Sequence, residues 1–444
     1  MKDNPLSLTA LKPIKMKNYN SPPISNYSLP GPEDITRTVL PNGIVVLTRP
    51  NFNSVTVVIS GYIPVGGLFD PLDKLGLANF TSAALMRGTQ RHNFQEIYDL
   101  LESNGASLGF DCGTHSTSFG GKALAEDLDL LLSLIAETLR FPVFPPEHVE
   151  RLRTQLLTSL AIRAQDTAEM AILTLDQILY ANHPYRNPED GYPETVQAIT
   201  RQDLLACHQI GYGPRGMTIV IVGAIEPQQA LDKVAQFLGD WQNPQQILEP
   251  ELPATQPLEK TTLNKVDIPG KFQADIVIGA VGPSRFSSDY MAAAIGNNIL
   301  GQFGMMGRIG EVVREQAGLA YYAHSNLSGG IGPGPWSISA GVDPANIDKT
   351  IALITREIKK FGETPVSQQE LSDTQANFIG QLPLSMESNG GVASALINLE
   401  RYRLGLDYYQ KFPDIVKAIT IEDVQQTAAQ YLIPDRLGIA IASP

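Results

Sequence analysis

The most informative segment of the chain is Gly76-Leu77-Ala78-Asn79-Phe80-Thr81-Ser82-Ala83-Ala84-Leu85-Met86-Arg87-Gly88-Thr89. Its apolar residues have the spacing of an amphipathic helix. Residues three and four positions apart lie on one face of a helix, so Asn79, Ser82 and Ala83 share a face. These side chains present an amide, a hydroxyl and a methyl group, none of which is a good ligand for a divalent cation. The segment therefore predicts a helix that cannot hold a metal ion.

This segment resembles the zinc helix of the pitrilysin family of metallopeptidases, the inverzincins. In that family, H-x-x-E-H lies in a Gly-Leu-Ala-His-Phe frame and is followed by a basic residue, Gly and Thr. The frame is matched by Gly76, Leu77, Ala78, Phe80, Leu85, Gly88 and Thr89. The motif itself is degenerate, because Asn79 and Ala83 stand in place of the histidines and Ser82 in place of the glutamate that activates water. If the match were a coincidence, the segment would be an ordinary amphipathic helix.

The third zinc ligand of the family is a glutamate on a later helix. Alignment through residues 149–153 places Ser159 at that position. The resemblance thus implies that three ligands and the general base are missing. The six histidines cannot replace them, since they are dispersed singly: His92, His115, His148, His183, His208 and His324. We therefore expect no metal and no other cofactor in this chain.

An internal repeat is visible in the sequence. Residues 192–200, Tyr-Pro-Glu-Thr-Val-Gln-Ala-Ile-Thr, recur as Phe-Pro-Asp-Ile-Val-Lys-Ala-Ile-Thr at residues 412–420, an offset of 220. The offset continues downstream, where Asp203 corresponds to Asp423. Self-similarity of this kind indicates two copies of one structural unit.

The repeat and the composition together predict four segments. We expect an extended N-terminal tail at residues 1–35, a first α+β unit at residues 36–242, a proline-rich linker at residues 243–264 and a second α+β unit at residues 265–444. Runs of β-branched residues predict strands at 43–48, 55–63, 217–222, 276–281 and 336–342. Helical spacing predicts helices at 128–139 and 347–358, and capping residues predict helix starts at Asn93 and Ser367. The order of the strands does not follow from these patterns.

The second unit carries Arg314 and Tyr321 in the frame Glu-Val-Val-Arg-Glu-x-x-Gly-Leu-Ala-Tyr. This frame also resembles the pitrilysin family, whose second half holds an Arg and a Tyr across a helix-to-strand turn. Gly318 predicts the end of the helix. In the family, the pair faces the zinc across the cavity, where arginine can bind a peptide carbonyl and tyrosine can stabilise an oxyanion. Without the frame, the two residues would be an ordinary helix residue and an ordinary strand residue.

Glycine is concentrated in two further places. Gly301, Gly304, Gly307 and Gly310 recur at every third residue, in the region where non-catalytic subunits of processing peptidases carry a glycine loop. Residues 329–334 form a second glycine-rich run. A flexible helix entry and a hairpin loop are the simpler predictions for the two runs. In the first unit, Gly109-Phe110 stands where catalytic relatives carry Asn-Ala on the strand that pairs with the substrate.

Composition excludes several classes of protein. The net charge of −13 argues against a nucleic-acid surface, and two cysteines cannot form a disulfide framework. The first 33 residues lack the apolar core of a secretory signal, and no stretch reaches transmembrane length. We therefore expect a cytoplasmic protein without membrane contact. The acidity would suit a cavity for basic peptides, although a solubilising surface accounts for it as well.

The resemblance implies an α+β fold of two homologous units, each a mainly antiparallel sheet backed by helices, as in the processing-peptidase (LuxS-like) metallohydrolases. Two such chains close as the halves of a clamshell around a peptide chamber. One chain would supply H-x-x-E-H and zinc, and this chain would supply Arg314 and Tyr321 in trans. The expected partner is a homologous zinc subunit, and the expected substrates are peptides. The alternative is a structural or peptide-binding protein without proteolytic activity, as a homodimer for example.

Overall fold

The computed structural model describes residues 29–248 and 250–444, which form an α+β protein with two sheets. Within this part of the chain, the first sheet has six strands in the order β1-β2-β6-β3-β5-β4. The strands are β1 (Thr36–Val39), β2 (Val45–Pro50), β3 (Thr56–Ile63), β4 (Ser107–Cys112), β5 (Thr117–Leu124) and β6 (Thr218–Gly223). Strands β2 and β6 are parallel, and all other neighbours are antiparallel.

The second sheet has five strands in the described residues, in the order β7-β11-β8-β10-β9. They are β7 (Thr262–Asp267), β8 (Ala274–Val281), β9 (Ala320–Leu327), β10 (Pro335–Val342) and β11 (Gly438–Ser443). Again one pair, β7 with β11, is parallel and the others are antiparallel. The predicted α+β fold with mainly antiparallel sheets is confirmed, and all five predicted strands are present.

Helices cover both sheets. Those of the first half are α1 (Leu77–Ala84), α2 (Phe94–Ser103), α3 (Leu128–Arg140), α4 (Pro146–Arg163), α5 (Thr167–Leu179), α6 (Pro193–Ala198), α7 (Arg201–Gly211) and α8 (Pro227–Leu238). Those of the second half are α9 (Tyr290–Gly301), α10 (Phe303–Ile309), α11 (Ile347–Glu363), α12 (Gln368–Ser385), α13 (Asn389–Arg401), α14 (Tyr408–Ala418) and α15 (Ile421–Tyr431). A π-helical segment, Gly310–Gln316, follows α10.

The helix starts follow from local chemistry. Asn93 accepts a hydrogen bond from the backbone of Glu96, whose carboxylate accepts in return from the backbone of Asn93, so that the two residues form a capping box on α2. Ser367 and Glu370 form the same box on α12. Both predicted starts are therefore confirmed, as are the helices predicted at 128–139 and 347–358.

Most elements of the first half recur in the second half. Helix α15 corresponds to α7, and strand β11 corresponds to β6, at the offset of 220 residues that the sequence repeat predicts. Asp203 and Asp423 serve the same purpose in the two copies, because each closes a capping box with the threonine three residues before it. Every residue of β6 and of β11 is buried. Sheets covered on both faces bury both sets of side chains, which explains the uninterrupted apolar runs of these strands.

The second face of each sheet is covered by a helix of the other half. Helix α5 of the first half packs on β8 and β11, and its equivalent α13 packs on β3 and β6. The small residues Ala440 and Ala442 allow α5 to approach closely. Two hydrogen bonds between the halves hold these helices in place. The hydroxyl of Thr167 donates to Asp275, and the amide of Asn51 donates to the Asn389 side chain over 2.7 Å.

Two boundaries differ from those predicted. Residues 1–28 of the predicted tail lie outside the described residues. Within residues 29–35, Leu29 and Ile35 are buried against α13 and α14 because their side chains complete an apolar cluster there. Strand β7 begins at Thr262, inside the predicted linker, because its backbone pairs with β11. In the described residues, no helix combines the length and the apolar composition that a membrane span requires.

Candidate functional site

The degenerate zinc positions lie together on α1. Ser82 is 2% exposed, and its hydroxyl has no hydrogen-bond partner among the described residues. Asn79 and Ala83 are half-buried on the same helix. Their shared face follows from the helical periodicity, as predicted. An amide, a hydroxyl and a methyl group meet here, and this set cannot form a zinc site.

The N-terminus of α1 is held by a carboxylate that the sequence analysis did not identify. Asp70 accepts hydrogen bonds from the backbone N–H groups of Gly76 and Ala78, both over 2.8 Å. Burial raises the pKa of Asp70 to about 7, and the backbone hydrogen bonds oppose this rise. Gly76 has a φ of 94°, and a Cβ atom at this position would lie 2.9 Å from the carbonyl oxygen of Asp190. The glycine of the family frame is thus required by the backbone, whether or not a metal binds.

Ser159 is exposed on α4, a helix that packs against α1. Across residues 29–248 and 250–444, no group of three His, Cys, Asp or Glu side chains could hold a metal ion. The histidines serve local contacts instead. His92 lies 3.0 Å from Glu137, and His208 lies 2.8 Å from the carbonyl oxygen of Leu139.

Strand β4, which carries Gly109 and Phe110, forms one edge of the first sheet. Gly109 is exposed, and a Cβ atom added there would meet open space. Edge strands present unpaired N–H and C=O groups to which an extended peptide can add as a further strand. The predicted location of a substrate-pairing strand is compatible with this edge.

Arg314 lies in the π-helical segment that precedes β9. Segments of this type are rare, and they are frequent at functional sites. The Arg314 side chain is 36% exposed, and its Nε atom lies 3.8 Å from a carboxylate oxygen of Glu315. The segment ends at Gln316, and the turn that follows contains Gly318, which has a φ of 63° and whose N–H group donates to the carbonyl of Arg314. The predicted helix end and the turn into a strand are both present.

Tyr321 is 80% exposed near the start of β9, at the edge of the second sheet. An exposed tyrosine on an edge strand is free to contact a ligand. Its neighbour Tyr322 points to the opposite face and donates its hydroxyl to Asp275. Asp275 is 1% exposed and also accepts from Thr167 and Gln273. This buried carboxylate ties β9, β8 and α5 together, and so it fixes the strand that presents Tyr321.

The sequence analysis missed Asp275 and Tyr322. A lone aspartate at the start of an apolar strand carries no recognisable pattern, and two of its three donors, Thr167 and Tyr322, come from distant parts of the chain. The alternation of side chains along β9 could have indicated that the adjacent tyrosines face opposite ways.

The two glycine-rich runs have structural explanations. Residues 329–334 connect β9 to β10 as a hairpin loop, and a Cβ atom at Gly332 would collide with the Tyr185 side chain of the first half. In the other run, Gly304 and Gly307 lie within α10, and both have a φ of 61°. A Cβ atom at Gly307 would lie 2.6 Å from the carbonyl of Ile299, so the backbone requires glycine there.

Comparison with known proteins identifies the family. Residues 45–189 match the model of the insulinase-type peptidase family M16, and residues 198–378 match the model of the M16 inactive domain. The chain belongs to the M16 peptidase family. The predicted membership of the pitrilysin-type zinc peptidases is thereby confirmed. The first match lies within the first half, and the second match runs from the last residue of α6 in the first half to α12 in the second half.

Several M16 proteins are similar along most of their length. An uncharacterized zinc protease of Mycobacterium leprae is 24% identical over 419 residues, which are 92% of this chain and 92% of the relative. The non-peptidase homolog YmxG of Helicobacter pylori is 26% identical over 380 residues, 85% of this chain and 87% of the relative.

Solved structures show the same fold. A peptidase M16 inactive domain from Pseudomonas fluorescens has a TM-score of 0.86 at 24% identity and covers 93% of this chain and 98% of its own. A protease from Helicobacter pylori has a TM-score of 0.85 at 19% identity, with 94% and 100% covered. These structures therefore show that the fold extends over 93–94% of this chain.

Proposed function

We propose that this chain is the non-catalytic, substrate-binding subunit of a two-chain M16 zinc metallopeptidase. The supporting observation is an asymmetry between its two halves. The first half has an amide, a hydroxyl and a methyl group on the helix where the family binds zinc, whereas the second half keeps Arg314 and Tyr321 exposed at a sheet edge. A partner with an intact H-x-x-E-H motif would hold the metal ion and the general base.

In this proposal, the partner's H-x-x-E-H residues would hold zinc, which would supply polarisation of the peptide carbonyl and an activated water. Arg314 offers several N–H donors to a substrate carbonyl, and the Tyr321 hydroxyl donates to the oxygen on which negative charge develops. The buried contacts of Asp275 hold β9 still, which gives Tyr321 a fixed direction. The exposed edges at β4 and β9 would bind an extended peptide through its backbone.

The experiment mixes this chain with an H-x-x-E-H homologue from the same source and measures cleavage of a fluorogenic peptide. We expect the chain alone to hold no stoichiometric zinc and to cleave nothing, and the mixture to be active. Arg314→Ala and Tyr321→Phe should each lower kcat of the mixture by about a hundredfold, the size of a lost oxyanion donor. The exposed Arg91, changed to Ala, is the control and should have no effect.

A second function is favoured by the resemblance to YmxG, whose name describes a non-peptidase homolog. The chain would then bind peptides without taking part in their hydrolysis, as a homodimer for example. This function predicts that the mixture is no more active than the zinc subunit alone, or that Arg314→Ala and Tyr321→Phe leave its activity unchanged. Either result would replace the first proposal by the second.

The proposed place of action is the cytoplasm. Cys112 and Cys207 are both buried free thiols. A reducing compartment suits a chain whose thiols remain unpaired.

A further inference from the structure

Two neighbouring cavities lie where the segment that connects the two halves passes over them. The inner cavity, of about 330 Å³, is bounded by the C-terminal ends of α5, β8 and α15 and by residues 255–258 of the connecting segment. The outer cavity, of about 620 Å³, is bounded by residues 178–183 and 254–259. Four residues line both cavities: Leu179, Pro257, Leu258 and Arg436. The first half, the connecting segment and the second half therefore meet here, and small-molecule sites are frequent at such junctions.

The lining of the inner cavity is mostly apolar. Its apolar residues are Leu179, Pro257, Leu258, Ala280, Val281, Pro283, Pro333 and Ile433. Thr255, Ser284 and Gln430 add two hydroxyl groups and an amide. An apolar lining with a few polar groups is typical of small-molecule sites, whose usual volume of about 300–1,000 Å³ includes that of this cavity.

Arg436 is the single charged residue that the described part of the chain contributes to the inner cavity. Its side chain is exposed, and it forms no ion pair or hydrogen bond with another side chain of the described residues. A guanidinium group can bind both oxygens of a carboxylate at once. Glu259 lines the outer cavity but not the inner one, and it is exposed to water, which screens its charge. Arg436 is therefore available to a carboxylate at the junction of the two cavities.

Hydrogen bonds hold the connecting segment in place on both sides of residues 254–259. On one side, the ring of His183 donates to the backbone of Pro253. On the other side, the N–H group of Thr261 donates to the carbonyl of Asp435 over 2.7 Å. The space under the segment is therefore formed by the fold itself, as in most small-molecule sites.

We propose that the inner cavity binds a small amphipathic carboxylic acid with an unbranched apolar chain, such as a medium-chain fatty acid. The chain lies against Leu179, Leu258 and Val281, and the carboxylate accepts two hydrogen bonds from Arg436. An acyl chain is favoured over a peptide, because each buried peptide group needs hydrogen-bond partners and this lining offers few.

This site is separate from that of the proposed function and does not depend on it. Val281, which lines the cavity, pairs with Pro335 at one end of the second sheet. Tyr322, next to Tyr321, pairs with Gly341 near the other end. The ligand would thus bind at the end of the sheet opposite Tyr321.

The test is isothermal titration calorimetry of the full chain with octanoate, below the concentration at which octanoate forms micelles. The matched probe is 1-octanol, which has the same chain and no charge. We expect one octanoate to bind per chain, and 1-octanol to bind at least about tenfold more weakly, as for the loss of a hydrogen bond to a charged group. Hexanoate lacks two methylene groups and should bind about fifteenfold more weakly than octanoate.

Three results with these probes would overturn the proposal. The first is the absence of octanoate binding, and the second is an equal affinity for octanoate and 1-octanol. The third uses N-acetyl-leucyl-leucine, which carries a carboxylate on a peptide. If it bound more tightly than octanoate, the cavity would be a site for the C-terminus of a peptide instead.

Variants locate the binding site. Arg436→Gln should weaken octanoate binding by about tenfold or more and leave 1-octanol binding unchanged, whereas Arg436→Lys keeps the charge and should retain more of the octanoate binding. Arg91→Gln is the control for net charge, because Arg91 is exposed and does not line the cavity. Val281→Phe narrows the cavity and should weaken binding of both probes.

Thermal melts check that each variant folds. If Arg436→Gln weakens binding of both probes equally, or if Arg91→Gln weakens octanoate binding as much, Arg436 does not hold the carboxylate and the proposal is wrong. Unchanged octanoate binding by folded Val281→Phe would place the ligand outside this cavity and would overturn the proposal as well.

Discussion

Replacing Tyr322 by Phe is expected to lower the free energy of unfolding by about 1.5–3 kcal/mol, the usual contribution of a hydrogen bond to a charged group. Tyr322 donates its hydroxyl to Asp275, a carboxylate that is 1% exposed. The substitution keeps the ring, so it opens no sizeable cavity. Asp275 retains its hydrogen bonds from Thr167 and Gln273. Because two donors to Asp275 remain, the loss of free energy of unfolding should lie in the lower half of this range.

The assay is urea denaturation followed by circular dichroism, at one pH and one salt concentration. The neighbouring residue provides the matched control, because Tyr321 carries the same hydroxyl but is 80% exposed. Tyr321→Phe should change the free energy of unfolding by no more than about 0.5 kcal/mol. In the cleavage assay the order should be reversed, so that Tyr321→Phe lowers activity more than Tyr322→Phe does.

An unchanged urea midpoint for Tyr322→Phe would refute the reasoning, since it would mean that the hydrogen bond to Asp275 contributes nothing to stability. A loss of equal size for Tyr321→Phe would refute it as well, because the effect would then not depend on burial. The slope of the transition should stay the same in all three proteins, as expected when only the native state is weakened.

Three further predictions concern the scaffold. Gly76→Ala should destabilise the protein by about 1–3 kcal/mol in thermal or urea unfolding, because φ is 94° and the new Cβ atom would lie 2.9 Å from the carbonyl of Asp190. Gly105→Ala is the control and should cost less, because φ is also positive there but the space is open. Burial, followed by the charge of Glu189, raises the pKa of Asp176 to about 7. The contribution of the protonated carboxyl to stability is therefore present at low pH and is lost as pH rises through 7. Between pH 5 and 7, the free energy of unfolding of wild type should fall by about 2 kcal/mol relative to that of Asp176→Asn in urea titrations. A difference between the two proteins that is independent of pH would contradict this. Gly438→Ala should cost about 1–3 kcal/mol, since its Cβ atom would lie 2.8 Å from Leu175 of α5; a neutral result would show that α5 can move away.

The sequence predicted much of the fold because the main signals are local. The capping box at Asn93, the apolar spacing of 128–139 and the repeat at 192–200 each lie within a few residues, and each has its counterpart in the structure. The order of the strands could not be predicted, because it depends on pairs such as β2 with β6 that are far apart in the chain. The predicted linker extends to residue 264, but β7 begins at Thr262, because its pairing with β11 overrides a composition typical of a linker.

For the candidate site, the sequence indicated which residues occupy the motif positions but not what holds them. Asn79, Ser82 and Ala83 share a face because helical periodicity requires it. The support from Asp70 and Asp275 was not predictable. Asp70 accepts from Gly76 and Ala78 across a turn that no capping pattern marks in the sequence, and Asp275 meets Thr167 and Tyr322 only after distant segments have packed.

The mutual covering of the sheets by α5 and α13 has a consequence for how such a chain could arise. A single copy of the repeat would leave one face of its sheet exposed to solvent. It could cover that face only by exchanging this helix with an identical copy. An ancestor that consisted of one repeat is therefore expected to be a symmetric swapped dimer. Joining two such subunits by a connection like residues 243–261 turns an association between molecules into one within a single polypeptide, which no longer depends on concentration.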